Sequence, residues 1–182
     1  GGYTDWRLPA TKEVAMLVDS GVTFSGEINP TIDTTYFPET AADYYWSSTL
    51  YADDPAQAWI VDFSYGVVDY DSTTINSFYV RAVRGVQFAN TFIDNGDGTI
   101  TDADSGLVWE KSAGSGTVTH AKAKSYCENL ILGGEKDWRL PTRNELQSIV
   151  DYARFNPAID TAYFPDTAPS EYWTSTKVAI DI

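Results

Sequence analysis

The sequence predicts an α+β chain in which each repeat carries two helices and a small antiparallel sheet. Three observations lead there. The string DWRLP stands at Asp5–Pro9 and again at Asp137–Pro141. Each copy runs into a stretch with helical spacing of apolar residues, KEVAMLVD to Asp19 and NELQSIVD to Asp151. Farther on lie short β-prone runs separated by turn residues.

The duplication extends well past the five shared letters. A short insertion in the first copy, around SGVTFSGEI, interrupts the match, and then the copies realign. NPTIDTTYFPET (Asn29–Thr40) matches NPAIDTAYFPDT (Asn156–Thr167), and YWSST (Tyr45–Thr49) matches YWTST (Tyr172–Thr176). Gly1-Gly2 have counterparts in Gly133-Gly134 and so read as part of the repeat. What should precede the first Gly pair is supplied only by Phe88–Leu132, and only the first copy continues past YWSST to VRAVRG. The expectation is therefore a piece of a longer tandem array. Residues 1–86 are the back part of one repeat and 91–182 the front part of the next. Through the link Gly85–Asn90, residues 1–132 would form one circularly permuted, complete domain. Gly133–Ile182 would then bury Leu146, Ile149, Val150 and Trp173 on a neighbouring chain, giving a homo-oligomer by segment exchange.

In natural order a unit opens with FIDNGDGTITDADSGLVWEK (Phe92–Lys111). Thr99–Thr101 and Leu107–Trp109 read as strands between Asn-Gly, Asp-Gly and Ser-Gly turns. The same stretch partly fits a calcium loop, with Gly98 at the sixth position, Asp97 at the fifth and Asn95 at the third. The first position then falls on Ile93, which cannot ligate, and the twelfth on an Asp where a bidentate Glu belongs. A strand-turn-strand with acidic turn residues fits better. A helix follows around His120–Leu130 with Thr119 as N-cap, placing Ala123, Tyr126, Cys127 and Leu130 on one face. The DWRLP segment leads into the second helix, Thr142–Tyr152 or, in the first copy, Thr11–Asp19. Thr142 and Glu145 have the spacing of a capping box. Ala10 stands where Thr142 should be, so that cap is remade by Thr11 or lost. Asp33 and Asp160 are turn-cap candidates. In the first copy strands are expected at Ala58–Phe63, Gly66–Tyr70 and Phe78–Val83, with a hairpin turn at Ser64-Tyr65-Gly66.

Composition narrows the function. With 12 basic and 26 acidic side chains the net charge is −14, a field that disfavours nucleic acid, anionic membrane surface and sulfated polysaccharide. Neutral or cationic partners fit, and so does plain solubility of a surface protein. No apolar run nears the ~20 residues of a membrane span, so no membrane insertion is expected. Cys127 is the only cysteine and His120 the only histidine. That excludes an intrachain disulfide and leaves zinc sites and His-based triads without partners. Cys127 reads as a buried, inert thiol.

Together, DNGDGTITD, SGLVWEK, DWRLPTRNELQSIVDY, NPAIDTAYFPDT, YYWSST, AWIVDFSYGVVDY and YVRAVRG resemble the Lcl C-terminal domain family over nearly the whole chain. The resemblance implies a C-type-lectin-like fold on bacterial surface or secreted proteins, often in tandem, with a binding character. The implied localisation is extracellular or cell surface, and the partner a glycan or a host or surface protein. The adhesin that names the family is associated with sulfated glycosaminoglycans, which the charge here disfavours. The Glu-Pro-Asn and Trp-Asn-Asp triplets of calcium-dependent lectins are absent, so no cofactor is implied and calcium lacks a complete motif. Formylglycine-generating enzymes in the same superfamily use a cysteine pair, which one cysteine cannot supply.

Two functions are weighed beside catalysis, a binding module and a structural spacer or assembly domain. The binding candidates are Tyr51, Asp53, Asp54, Gln57, Tyr65, Tyr70, Asp71 and Asn76, a mixture of tyrosine, acid and amide suited to adaptable recognition. The resemblance implies that this segment carries the ligand face in diversified relatives. Strand tyrosines that simply cover a sheet are the alternative. Trp6, Arg7, Trp138 and Arg139 read as scaffold, the arginines reaching a carboxylate or carbonyls and the tryptophans lying in the core. Purified protein should show no redox or hydrolytic turnover and hold no stoichiometric zinc or copper. Elemental analysis that finds a tightly held transition metal contradicts this.

Overall fold

The computed structural model describes residues 2–22, 29–114 and 116–177 and divides into two units, the first holding the chain to Phe88 together with Lys177 and the second Ala89–Thr176. Gly1, most of the insertion in the first copy and the chain beyond Lys177 lie outside the described residues. The described chain is mixed α/β, with three small antiparallel sheets and few helices.

In the first unit β1 (Trp6–Arg7) pairs antiparallel with β5 (Val83–Arg84). Pro9 then ends the extended segment and α1 (Thr11–Ala15) begins. A three-stranded sheet follows, with order β2 (Tyr44–Leu50), β3 (Gln57–Asp62), β4 (Val67–Ser72). The β3–β4 turn falls at Ser64-Tyr65-Gly66 as expected, with Asp62 accepting from the Ser64 amide (2.7 Å) and its carbonyl from the Gly66 amide (2.8 Å). Gly66 has φ +67°, and a Cβ there would meet the Val18 Cγ1 at 2.8 Å, so the turn needs glycine twice over. Val14, Ala15 and Val18 pack with Ile32, Tyr45, Val61 and Phe63 into one buried cluster. Each of the larger aliphatic and aromatic side chains there contributes about 1.5–3 kcal/mol by leaving water.

The pairing of β2 with β3 slips between Trp46 and Leu50. Such a bulge releases residues from the ladder and turns them elsewhere. Here they turn to the helix. The Ser48 amide donates to the Pro9 carbonyl (2.8 Å), the Thr11 amide donates to the Thr49 Oγ1 (3.1 Å), and the Ser47 and Thr11 hydroxyls share a hydrogen bond (2.9 Å). A helix leaves its first amides unpaired, and Thr49 satisfies one of them. The expected loss of the Ala10 cap is real, since Ala10 has no side-chain acceptor, but Glu13 accepts from the Ala10 amide (2.8 Å) and keeps the other half of the box.

The second unit repeats this pattern in different surroundings. Its amide at Ser175 donates to the Pro141 carbonyl (2.7 Å), and the Arg143 amide donates to the Thr176 Oγ1 (2.9 Å). Helix α3 (Arg143–Ser148) carries the expected capping box, with the Glu145 amide on the Thr142 hydroxyl (3.3 Å) and the Thr142 amide on the Glu145 carboxylate (2.8 Å). Both copies join the arginine of DWRLP to that glutamate through two contacts, 2.6 and 2.6 Å for Arg7–Glu13, 2.7 and 2.5 Å for Arg139–Glu145. The carboxylate expected to receive these arginines is therefore the helix's own N3 glutamate. Asp33 and Asp160 cap matching turns, accepting from the amides of Thr35 (2.8 Å) and Ala162 (3.1 Å). The hydroxyls of Tyr45 and Tyr172 accept from the amides of Ala41 (2.9 Å) and Ala168 (3.0 Å).

The second unit begins with a meander of β6 (Phe92–Asp94), β7 (Thr99–Asp102) and β8 (Val108–Glu110). The acidic stretch forms the expected strand-turn-strand: Asp94 accepts from the Gly96 amide (3.0 Å), and Asp97 from the amide (3.1 Å) and hydroxyl (2.6 Å) of Thr99. Helix α2 (His120–Asn129) is tied to β8 by the Tyr126 hydroxyl on Glu110 (2.6 Å), a bond that pushes the Tyr126 phenol up to about 12. Ile100 of β7 is fully buried with Ile149, Ile159 and Phe164.

Several expectations need correction. Residues 1–132 are not the unit that forms, because Ile100 shares its core with the second DWRLP helix and the division falls at Phe88. Phe78–Val83 is not a strand. Only Tyr79 bridges to Tyr45, and pairing resumes at Val83–Arg84. Both DWRLP helices end early, at Ala15 and Ser148. Trp6 is 56% exposed, since β1 is a two-residue edge pairing with no layer over that side chain. Trp138 is half-buried and donates to the Leu132 carbonyl (3.2 Å). Thr119 occupies the N-cap of α2 without a side-chain cap bond. Cys127 is half-buried, with burial pushing its thiol upward.

Thr49→Val and Thr176→Val each leave a helix amide without its acceptor. Each should cost about 1–2 kcal/mol in chemical denaturation, with similar losses in the two copies. The Arg139 pair holds Glu145 down to about 2, against an ordinary value of 4.5. A lowered folded-state value means the stabilisation is complete above about pH 4.5 and lost as pH falls toward 2. The melting temperature should drop across that window, and Glu145→Gln should flatten the drop.

Candidate functional site

The eight candidate residues do not share one face. Alternation along β3 puts Trp59 on the same side of the pleat as Val61, and the register pairs Trp59 with Tyr70 and Val61 with Val68. That side carries the core near Val61 and becomes an aromatic platform near Trp59. Tyr51, just past β2, stacks on Tyr70 with centroids 4.1 Å apart and planes 5° apart. Trp59 stands edge-on to both, 5.3 Å from Tyr51 and 5.6 Å from Tyr70, at 89° and 87°. Tyr51 is fixed by its amide donating to the Gln57 carbonyl (2.9 Å). Desolvation of the ring, then Tyr70 and Asp53, push its phenol above the ordinary value.

The acids and amides around the platform divide by role. Asp54 accepts from the Ala56 amide (3.1 Å) and the Gln57 Nε2 (2.9 Å), so this pair builds the β2–β3 turn. Asp71 accepts from the Ser72 amide (2.6 Å) and takes the Asn76 Nδ2 on both oxygens (2.9 Å each), shaping the loop after β4. Asp53 is exposed and close enough to act on the Tyr51 phenol, whereas the exposed Asp69 pairs with Ile60 and points to the opposite face of the sheet. Tyr65 is 63% exposed but lies at the β3–β4 turn, beyond Asp62 and Val67, at the far end of the sheet from Gln57 and Ser72. It is not part of the platform. The sequence reading missed Trp59. Its signal was present in the two-residue alternation that aligns it with Gln57 and Val61.

Among the described residues no group of three or more His, Cys, Asp or Glu side chains is placed to hold a metal ion. Nor is any helix among them long and apolar enough to cross a membrane.

Fold and site together define a tandem α/β repeat whose two copies reuse one hydrogen-bonding scheme. The chain belongs to the Lcl C-terminal domain family, whose model matches residues 1–84 and again 98–181. No curated protein and no solved structure matches the chain.

Proposed function

We propose that this chain is a non-catalytic binding module of C-type-lectin-like architecture, working outside the cell or at its surface. The observation that carries the proposal is the Tyr51–Tyr70 stack with Trp59 edge-on, at an open end of a sheet with Asp53 exposed beside it. Rigid aromatic side chains provide large contact area at low entropic cost, and their hydroxyls add polar recognition. The net charge of −14, with Asp53 at the platform, favours neutral or cationic ligands and disfavours polyanions. A neutral glycan face or a basic protein loop meets those terms. One cysteine and one histidine in the whole sequence support a role without catalysis.

The spacer reading is favoured at Asp54–Gln57 and Asp71–Asn76, whose hydrogen bonds are spent within their own loops. The ligand face therefore reduces to Tyr51, Trp59 and Tyr70 with Asp53.

A glycan array with and without calcium, run beside a protein-partner screen, identifies the ligand. Tyr70→Ser and Asp53→Ala should each weaken binding of that ligand by about tenfold or more, as losses at central contacts do. The melting temperature should change little. Tyr65→Ala, at the other end of the sheet, should leave binding unchanged. Binding that survives Tyr70→Ser, or a collapse in stability without a ligand effect, overturns the proposal in favour of a spacer.

A further inference from the structure

The two copies place the same segment in different surroundings, and the difference exposes a surface. In the second unit NPAIDTAYFPDT is covered by the β6–β8 meander. Phe92 lies 5.5 Å from Tyr163 and 5.2 Å from Phe164, edge-on to the latter at 90°. Phe164 is buried to 3% exposure, and Ile100 closes over Ile149 and Ile159 beside it. In the first copy the counterparts are Tyr36 for Tyr163, Phe37 for Phe164, Leu17 for Ile149 and Ile32 for Ile159. There Tyr36 is 78% exposed, and Leu17 and Phe37 are only half-buried at the edge of the core. Tyr36, Phe37, Pro38, Glu39 and Arg81 line a groove of about 200 Å³.

The walls of that groove are already fixed. The Arg81 guanidinium sits 4.8 Å over the Phe37 ring and donates to the Thr40 hydroxyl (2.5 Å). Thr40 also donates to the Phe37 carbonyl (3.0 Å), and the Phe37 amide donates to the Asp33 carbonyl (3.0 Å). Preformed walls bind without a further ordering cost. The surface is also the counterpart of an interface that this chain forms in its second unit, with the same Tyr-Phe-Pro sequence in the receiving role.

We infer that the Leu17, Tyr36 and Phe37 surface of the first unit is a docking face for the β6–β8 meander of a second copy of this repeat. Phe92 of that copy fills the groove beside Tyr36 and Phe37. Its Ile100 covers the half-buried Leu17, as in the second unit it covers the counterpart Ile149. The first unit then has its helix packed on both sides, by its own β3 on one and by the incoming meander on the other. This face is separate from the Tyr51, Trp59 and Tyr70 platform and does not depend on the ligand proposal.

The test is an extended chain in which residues 89–132 are repeated ahead of Gly1, reproducing the Leu132–Gly133 junction. Hydrogen exchange read by mass spectrometry reports on the 31–40 segment. Docking should slow exchange there by about tenfold or more, as coverage of a half-exposed segment does. Phe92→Ala in the added copy, and separately Tyr36→Asp in the first unit, should each remove the slowing while leaving the second unit's own meander protected. Unchanged exchange at 31–40 in the extended chain overturns the inference, as does slowing that survives both substitutions.

Discussion

Each repeat depends on a clasp between two short segments far apart in sequence. A proline carbonyl at the end of DWRLP accepts from a serine amide in YWSST or YWTST, and a threonine next to that serine accepts from the first turn of the helix. Proline brings no amide of its own, so its carbonyl is the one backbone group it can offer to a neighbouring strand. The helices that follow are of five and six residues. Isolated helices of that length do not persist in water. They form here because the glutamate at the third position, the arginine two residues before the proline and the distant threonine together satisfy the opening of the helix. This accounts for the doubling of DWRLP and YW(S/T)ST as a pair, since neither segment completes its hydrogen bonds without the other.

Reuse of the clasp explains how one motif stands in two settings. In the first unit YWSST belongs to β2, and the bulge after Trp46 lets Ser47, Ser48 and Thr49 leave the ladder for the helix. In the second unit YWTST is outside any strand, yet Ser175 and Thr176 make the same contacts. The clasp therefore does not need the sheet. What changes is the surrounding layer. Trp46 packs on Phe78 at 4.9 Å, whereas its counterpart Trp173 packs on His120 at 5.4 Å and donates to the Val118 carbonyl (2.8 Å).

Legibility followed the range of the forces involved. The Thr142–Glu145 box, the Asp33 and Asp160 turns and the Ser64-Tyr65-Gly66 hairpin are local, and local spacing revealed them. The β2 strand is not among the strands expected from the sequence, because two serines and a threonine after YYW carry no apolar alternation and only the bulge explains them. FYVRAV has strand composition, yet its partners allow one bridge at Tyr79 and a two-residue pairing at Val83. Trp6 is expected in the core as part of the repeated scaffold, and a two-residue pairing leaves it in solvent. At the site, tyrosine and acid content pointed to Tyr51 and Tyr70. It could not separate Tyr65, which the turn carries to the opposite end of the sheet. Trp59 was hidden in AWIVDF, a run that looks uniformly buried until the register pairs it with Tyr70.

The acidity of the chain has a structural share that composition alone conceals. Asp19, Asp33, Asp54, Asp62, Asp94, Asp97, Asp102, Asp151 and Asp160 each accept from the amide two residues ahead. Aspartate is favoured there because its short carboxylate closes a turn with its own backbone. Much of the −14 charge therefore comes from a turn-rich fold and does not by itself indicate a cationic ligand or a metal. The field is nonetheless real, because a carboxylate bonded to an amide keeps its charge. The two statements act on different questions. Turn chemistry explains why the acids are where they are, and the summed field bears on the ligand class proposed for the Tyr51–Tyr70 face. A polyanion is repelled by every one of those turns, whereas a neutral ligand at the proposed face would meet only the aromatic rings and Asp53.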